Sequence, residues 1–298
     1  MRFRRVAALL SVLLAVTMTL AQAQTQPGTM TSSETVSGSE RFVPRWEISV
    51  GGQVGAPRGF VKVGELDRPG TKLGLKSALD VNTYEDAQID GAWHITDRDA
   101  IRGRFEYTFL WGSAARLQED VAFNGALLGA GTELRTRPIF ARGTALYEHT
   151  FVQDRDGTLL AGGGGLTFVY LHWKMTGTLS EKTIGHETGE DFYAQELPIP
   201  LLSLRGEYPI APRWRLLGTV DGGLLPKVDS LRKEGGTVKL AQAHADVFAG
   251  VRYEVTPRLF ADGGYSYTYF SQHETSHEDD NKLLFIGHGF ALGLTYLF

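Results

Sequence analysis

The stretch IRGRFEYTFLW, residues 101–111, alternates between two chemistries. Ile101, Gly103, Phe105, Tyr107, Phe109 and Trp111 form one set; Arg102, Arg104, Glu106 and Thr108 form the other. A β-strand turns successive side chains to opposite faces, so one face here is apolar and aromatic and the other is charged. The same period runs on both sides of this stretch. In WEISVGGQV (46–54), Trp46, Ile48, Val50, Gly52 and Val54 oppose Glu47, Ser49, Gly51 and Gln53. In AQIDGAWHI (87–95), Ala87, Ile89, Gly91, Trp93 and Ile95 oppose Gln88, Asp90, Ala92 and His94. Further strands are expected at 139–151, 158–173, 197–208, 213–224, 240–255, 258–270 and 283–298, ten in all. No long stretch carries a helical period.

The connections discriminate between all-β architectures. Those after strands two, four, six and eight are short: TDRDA, QDRDG, PIAPR and VTPR, with Asp, Gly and Pro supplying turn chemistry. The others, 55–86, 112–138, 174–196, 225–239 and 271–282, are long and polar. Strict alternation of short and long connections is what an up-and-down antiparallel barrel produces, with tight turns at one end and loops at the other. Twelve strands is the rival count, because GFVKVG and TKLGLKSALDV in the first long connection are able to pair; a β-ribbon above the membrane is preferred.

The two faces predict the solvent. Trp46, Trp93, Tyr107, Trp111, Tyr147, Trp214, Tyr253, Tyr265, Tyr267, Tyr269 and Tyr296 lie on the apolar set near strand ends, as in the girdles of a membrane barrel. The opposite set carries Glu47, Asp90, Arg102, Arg104, Glu106, Arg142, Glu148, Arg205, Glu207, Arg215, Asp221, Asp246, Arg252, Glu254 and Asp262, together with His94 and His244. These are expected to face a lumen and pair across it, because unpaired buried charge is costly.

The N-terminus predicts export. Arg4 and Arg5 lead into the apolar run 6–20 and the motif Ala21-Gln22-Ala23, so residues 1–23 read as a signal peptide rather than an anchor helix. Residues 24–44 are polar and aperiodic, a flexible tail; 45–298 form the barrel. Loss of Arg2, Arg4 and Arg5 takes the 30 basic residues to 27 against 34 acidic, and the charge from −4 to −7. That balance argues against a nucleic-acid partner. The absence of cysteine excludes disulfides and thiol chemistry.

The chain ends FALGLTYLF, with Leu292, Leu294, Tyr296 and the terminal Phe298 on alternate positions. This resembles the C-terminal signal strand of bacterial outer-membrane β-barrel proteins. The resemblance implies a transmembrane barrel in the outer membrane, tight turns and tail on the periplasmic side, and loops outside. It also implies contact with outer-membrane lipid and lipopolysaccharide, and recognition by the barrel-assembly machinery.

Signals for chemistry are weaker. Gly162–Gly165, in TLLAGGGGLTFVYLHW (158–173), invites a phosphate-loop reading. It fails, since no helix and no Lys-Ser or Lys-Thr pair comes after the glycines. Two of these glycines are expected to face the lumen in a sharply curved patch, with Phe140 or Phe248 against bare backbone. The HET tripeptides at 186–188 and 273–275 sit in acidic loops. His273 and His277 have a spacing able to clasp a metal, but a solvated loop attracting divalent cations is preferred. Outer-membrane barrels also include proteases and lipid hydrolases. Asp90 with His94, His244 with Asp246, and Ser271 with His273 make no convincing catalytic set. His288 falls on the apolar face, where a bulge near Gly287 or Gly289 would relieve it. The expectation is therefore a non-catalytic barrel without cofactor or metal, its lumen plugged, serving a structural or surface role. A narrow solute channel comes second and a barrel hydrolase third.

Overall fold

The computed structural model describes residues 45–65, 68–112, 115–179, 182–194, 197–233, 237–277 and 279–298. The expected signal peptide and tail lie outside them. Among the described residues ten strands form a ring, up and down. They are β1 (Trp46–Lys62), β2 (Val81–His94), β3 (Asp99–Gly112), β4 (Glu133–Gln153) and β5 (Leu159–Leu179), then β6 (Ile199–Ala211), β7 (Trp214–Lys233), β8 (Thr237–Thr256), β9 (Leu259–Thr275) and β10 (Asp280–Leu297). Each pairs antiparallel with the next, and β10 pairs with β1 from Leu297↔Glu47 to Lys282↔Lys62. That last pairing closes the sheet, so none of the ten is an edge strand.

At one end the strands turn tightly, and two turns repeat a device. The Thr96 hydroxyl accepts from the backbone N–H of Arg98 and Asp99, and the Thr256 hydroxyl from those of Arg258 and Leu259. A threonine before the bend satisfies donors that the ladder leaves open.

The opposite end departs from expectation. β4 and β5 run for 21 residues each, β7 and β8 for 20, roughly twice the 9–11 a bilayer requires. Much of what reads as loop is therefore strand. Lys182–Ala194 continues the wall beside β5, with His186 opposite Gly177, and β9 passes to β10 through 276–279 alone. In this extension the faces exchange chemistry, with Glu133, Arg135 and Lys239 exposed and Leu134, Val238 and Leu240 buried, so the apolar set does not continue the one that marks the strand below. The first four residues of GFVKVG close β1, and Phe60 and Val61 among them also pair with Gly74 and Leu73.

The two remaining long connections, between β1 and β2 and between β3 and β4, fold into the mouth. Their Val63, Leu73, Leu75, Leu79, Leu117, Val121, Phe123 and Leu128 pack in one cluster with inward residues of the wall, including Tyr84, Phe140, Trp173, Phe270 and Phe285. The Phe140 ring centre lies 5.1 Å from Phe270 and 5.7 Å from Phe285. Asn124 (φ 48°) and Gly125 (φ 68°) form the turn of a small hairpin, Val121–Phe123 with Ala126–Leu128. Asn-Gly suits that left-handed pair of positions. The lumen is thus not polar throughout: its loop-side half is an apolar core, each full burial of a large side chain there contributing about 1.5–3 kcal/mol.

Candidate functional site: the ionic lumen

The turn-side half of the lumen holds the inward charges, and they fall into two tiers. In the tier nearer the turns, Arg102 bonds Glu47 (3.0 Å) and Glu148 (3.1 Å). Arg205 bonds Glu148 (2.8 Å) and Glu207 (3.1 Å), and Arg252 bonds Glu207 (2.8 Å) and Asp262 (2.7 Å). The Thr295 hydroxyl donates to Asp262 at 3.2 Å and lies 2.9 Å from that of Ser49. Ser49 and Glu47 share β1, so the chain of contacts returns to its origin as a belt. Arg215 joins from β7, 3.4 Å from Glu207, and His94 from β2, 3.8 Å from Glu47. The Phe260 ring lies 5.8 Å from the Arg215 guanidinium and 5.6 Å from that of Arg252. Among the described residues, four guanidiniums here meet four carboxylates.

β5 passes through this belt without contributing a charge to it, and the four glycines explain how it is bridged. Gly163 stands between Glu148 on β4 and Ser203 on β6. With no side chain there, Arg205 reaches over β5 to Glu148. A Cβ on Gly163 would lie 1.8 Å from the Tyr147 carbonyl oxygen, and one on Gly165 2.1 Å from that of Ala145. Both face inward, whereas Gly162 and Gly164 face out. The bulk expected against this bare backbone is elsewhere. Phe140 belongs to the apolar core, and Phe248 lies over Gly250 and Gly264 on β8 and β9, where an added Cβ would meet its ring at 2.7 and 2.8 Å.

The second tier is unbalanced. Arg104 is shared by Asp90 and Asp221, both at 2.7 Å. Arg142 is shared by Glu106 (3.0 Å) and Asp246 (2.8 Å). Asp86, which the sequence pattern leaves in a loop, adds a fifth carboxylate and accepts from Thr108 at 2.9 Å. His244 is buried with Nδ1 3.6 Å from Asp246, and among the described residues neither ring nitrogen has a hydrogen-bond partner. Glu254 sits on the inward face of β8 nearer the turns. A cavity of about 170 Å³ extends between the tiers, lined by members of both.

Other singled-out residues separate. Leu292, Leu294 and Tyr296 face outward on β10, and the Phe298 amide donates to the Trp46 carbonyl at 2.9 Å, so the last residue is stitched to the first strand. Asp90 pairs with Arg104, not with His94. His273 faces outward, 3.0 Å from Asp280, and His277 lies in the β9–β10 turn. Among the described residues no three histidines or acids converge to hold a metal ion. The side chains of the first HET tripeptide lie outside the described residues. Asp280 stands beyond the apolar belt. Burial pushes its carboxyl up, but hydrogen bonds from Lys62 and His273 outweigh this and hold it at about 2. His288 needs no bulge: β10 keeps continuous register with both neighbours, and His288 Nδ1 lies 2.9 Å from the outward Tyr265 hydroxyl. One pair escapes sequence reasoning altogether, His149 Nδ1 2.7 Å from Asp99 at the turn end, which residues 50 apart do not announce.

Outside, Ile48, Ile89, Phe105, Phe168, Leu204 and Val220 are exposed. At the turn end Trp46 stacks on Trp93 at 6.0 Å, and Trp214 lies 4.7 Å from Tyr253. An apolar exterior, an ionic turn-side lumen and a ring of ten strands in which none is an edge satisfy what a bilayer demands of a spanning chain. The class is therefore the transmembrane antiparallel up-and-down β-barrel. The chain matches no protein-family model and no curated protein sequence. Among solved structures it is similar to the outer membrane protease OmpT from Escherichia coli: 13% identity, 88% of this chain and 100% of that one, TM-score 0.43. It is similar also to the translocator domain of autotransporter NalP from Neisseria meningitidis: 13% identity, 87% and 90% covered, TM-score 0.38. For Neisserial surface protein A the figures are 12% identity, 85% and 97% covered, TM-score 0.31. Likeness at this level carries no role from one chain to another.

Proposed function

We propose that the protein is a non-catalytic, non-conducting barrel of the bacterial outer membrane with a structural or surface-interaction role. The observation that carries this is the double closure of the lumen. Ion pairs span its turn-side half, and an apolar core with two inserted loops fills its loop-side half. An ion crossing that core would shed its hydration with no charge or carbonyl to replace it. In this reading the turns and the N-terminal tail face the periplasm. The exterior contacts outer-membrane lipid and lipopolysaccharide, and Leu292, Leu294, Tyr296 and Phe298 present the signal read by the barrel-assembly machinery. Single-channel recording in planar bilayers tests it: no discrete conductance steps are expected, and reproducible steps from the pure protein would replace it with the narrow-channel reading.

A further inference from the structure

The outward face of β1 changes chemistry at one residue. From Trp46 through Ile48, Val50, Gly52 and Val54 to Ala56 it is apolar, and the next outward position is Arg58. Trp46 to Ala56 covers about the 9–11 residues of a bilayer span, so Arg58 falls at headgroup level at the loop end. Lysines surround it. Lys62 on β1 stands opposite Lys282 on β10, and the exposed Lys72 and Lys76 lie on either side of Leu73–Gly74, which pairs with Val61 and Phe60.

Two carboxylates stand among these five cations, and both are engaged. Asp280 is bonded to Lys62 and His273 and lies 3.4 Å from Lys282, and Asp80 accepts from the Asn82 amide. Glu85, the outward acid on β2, is level with Val54, two outward positions below Arg58. The patch is therefore basic. Lys72 lies 4.0 Å over the Phe60 ring, whereas Arg58 and Lys76 have no hydrogen-bond or ion-pair partner among the described residues.

Arg58 and Lys76 converge on one open groove of about 520 Å³, shared with Ser77, Asn82 and Asp80 and with the backbone of Gly59 and Gly74. Below it the wall is bare and apolar: Val54 is 52% exposed and Phe290 71%. Unpaired cations immediately above a lipid-facing wall suit an occupant with an anionic head and apolar chains.

We propose that this groove holds the phosphate of an outer-leaflet lipid between Arg58 and Lys76, with the acyl chains along Val54 and Phe290. The Ser77 hydroxyl is a further donor to that phosphate, and Lys62, Lys72 and Lys282 strengthen the field around it. The site rests on the reading that the loop end faces outward.

Native mass spectrometry of the full chain folded in detergent and titrated with lipid A is the test, beside the same lipid stripped of its phosphates and inorganic phosphate alone. One lipid A retained per chain is expected, with both comparison ligands about tenfold weaker or more. Arg58→Gln and Lys76→Gln are each expected to weaken lipid A about tenfold, the loss of one charge-assisted contact. Arg137→Gln, an exposed outward cation three strands away on β4, is expected to leave it unchanged. Gel mobility without boiling establishes that each variant is folded. Equal retention of the dephosphorylated lipid, free phosphate bound as tightly as lipid A, or a loss in Arg137→Gln as large as in Arg58→Gln overturns the proposal. Orientation is judged separately, by labelling a Ser77→Cys variant in intact cells with a membrane-impermeant maleimide, since the chain has no cysteine of its own. A folded variant that stays unlabelled removes the outer-leaflet placement, whatever the titration gives.

Discussion

Replacing Gly163 by alanine isolates the glycine patch of β5 from every other contribution. The added Cβ would lie 1.8 Å from the Tyr147 carbonyl oxygen, 2.8 Å from its carbonyl carbon and 2.9 Å from the Glu148 Cα. All three are backbone atoms of a paired strand, so relief requires β4 and β5 to part by more than about 1 Å. Overpacking of one methyl typically costs about 1–3 kcal/mol, and a rigid backbone obstacle belongs at the top of that range. The same shift lengthens the Arg205–Glu148 bridge that passes over this position. Gly143 is the control: it faces outward on β4, and a Cβ there meets nothing within 4 Å. Gly143→Ala is expected to be neutral or to stabilise by about 0.4–1 kcal/mol through the unfolded chain. Reversible urea unfolding in lipid vesicles, followed by tryptophan fluorescence, measures both. The two variants are expected to differ by about 3 kcal/mol, Gly163→Ala being the weaker. A Gly163→Ala barrel within about 0.5 kcal/mol of the parent would refute the close-approach reasoning.

Arg142→Met removes the cation shared by Glu106 and Asp246, leaving both inside the wall. Breaking a buried pair on one side costs about 3–5 kcal/mol. The same urea assay is expected to show that loss, partly recovered when Glu106→Gln and Asp246→Asn are added; a loss below about 1 kcal/mol would mean that lumen water screens the tier. At the loop end, burial raises the Asp280 carboxyl, but hydrogen bonds from Lys62 and His273 hold it at about 2 in the folded chain, against about 3.9 when unfolded. Its contribution to stability is thus present above about pH 4 and lost as the pH falls through about 2. With this carboxylate 43% exposed, the effect is screened and small. Carboxyl-carbon NMR titration checks the value, and Asp280→Asn is expected to remove the pH-dependent part; an unshifted titration near about 4 would contradict the Lys62 and His273 contacts.

How much of the barrel is legible in the sequence depends on what each feature needs. Arg102, Glu148, Arg205 and Asp246 are legible as inward groups because period two assigns each residue a face without reference to its partner. Which charges pair is not legible. Arg205 and Glu148 are 57 positions apart and meet only because β5 between them is bare at Gly163. The apolar core is hidden for a related reason. In LTFVYLHWKM (166–175) both faces of β5 are largely apolar, and such a run does not say which face meets lipid and which meets a plug. Asn124-Gly125 does carry a local hairpin signal, but its flanking strands are only three residues each, too short to show a period of their own.

The two halves of the lumen constrain each other through the wall they share. An ionic belt alone would leave a wet barrel with a central gap; an apolar core alone would leave surplus carboxylates beneath a dry ceiling. The inward faces change from one regime to the other within one or two positions: Glu106 and Thr108 precede Leu110 on β3, and Arg142 comes directly after Phe140 on the inward face of β4. On β8, His244 and Asp246 succeed Leu240 and Gln242. His244 stands at that boundary, with apolar packing on one side and a carboxylate on the other. Its Nδ1 faces Asp246 at 3.6 Å, so the charged tier begins where the apolar core ends. Methionine or leucine in place of Asp86 and His244 would seal the lumen with less buried polarity, so the tier is not the only filling the wall allows.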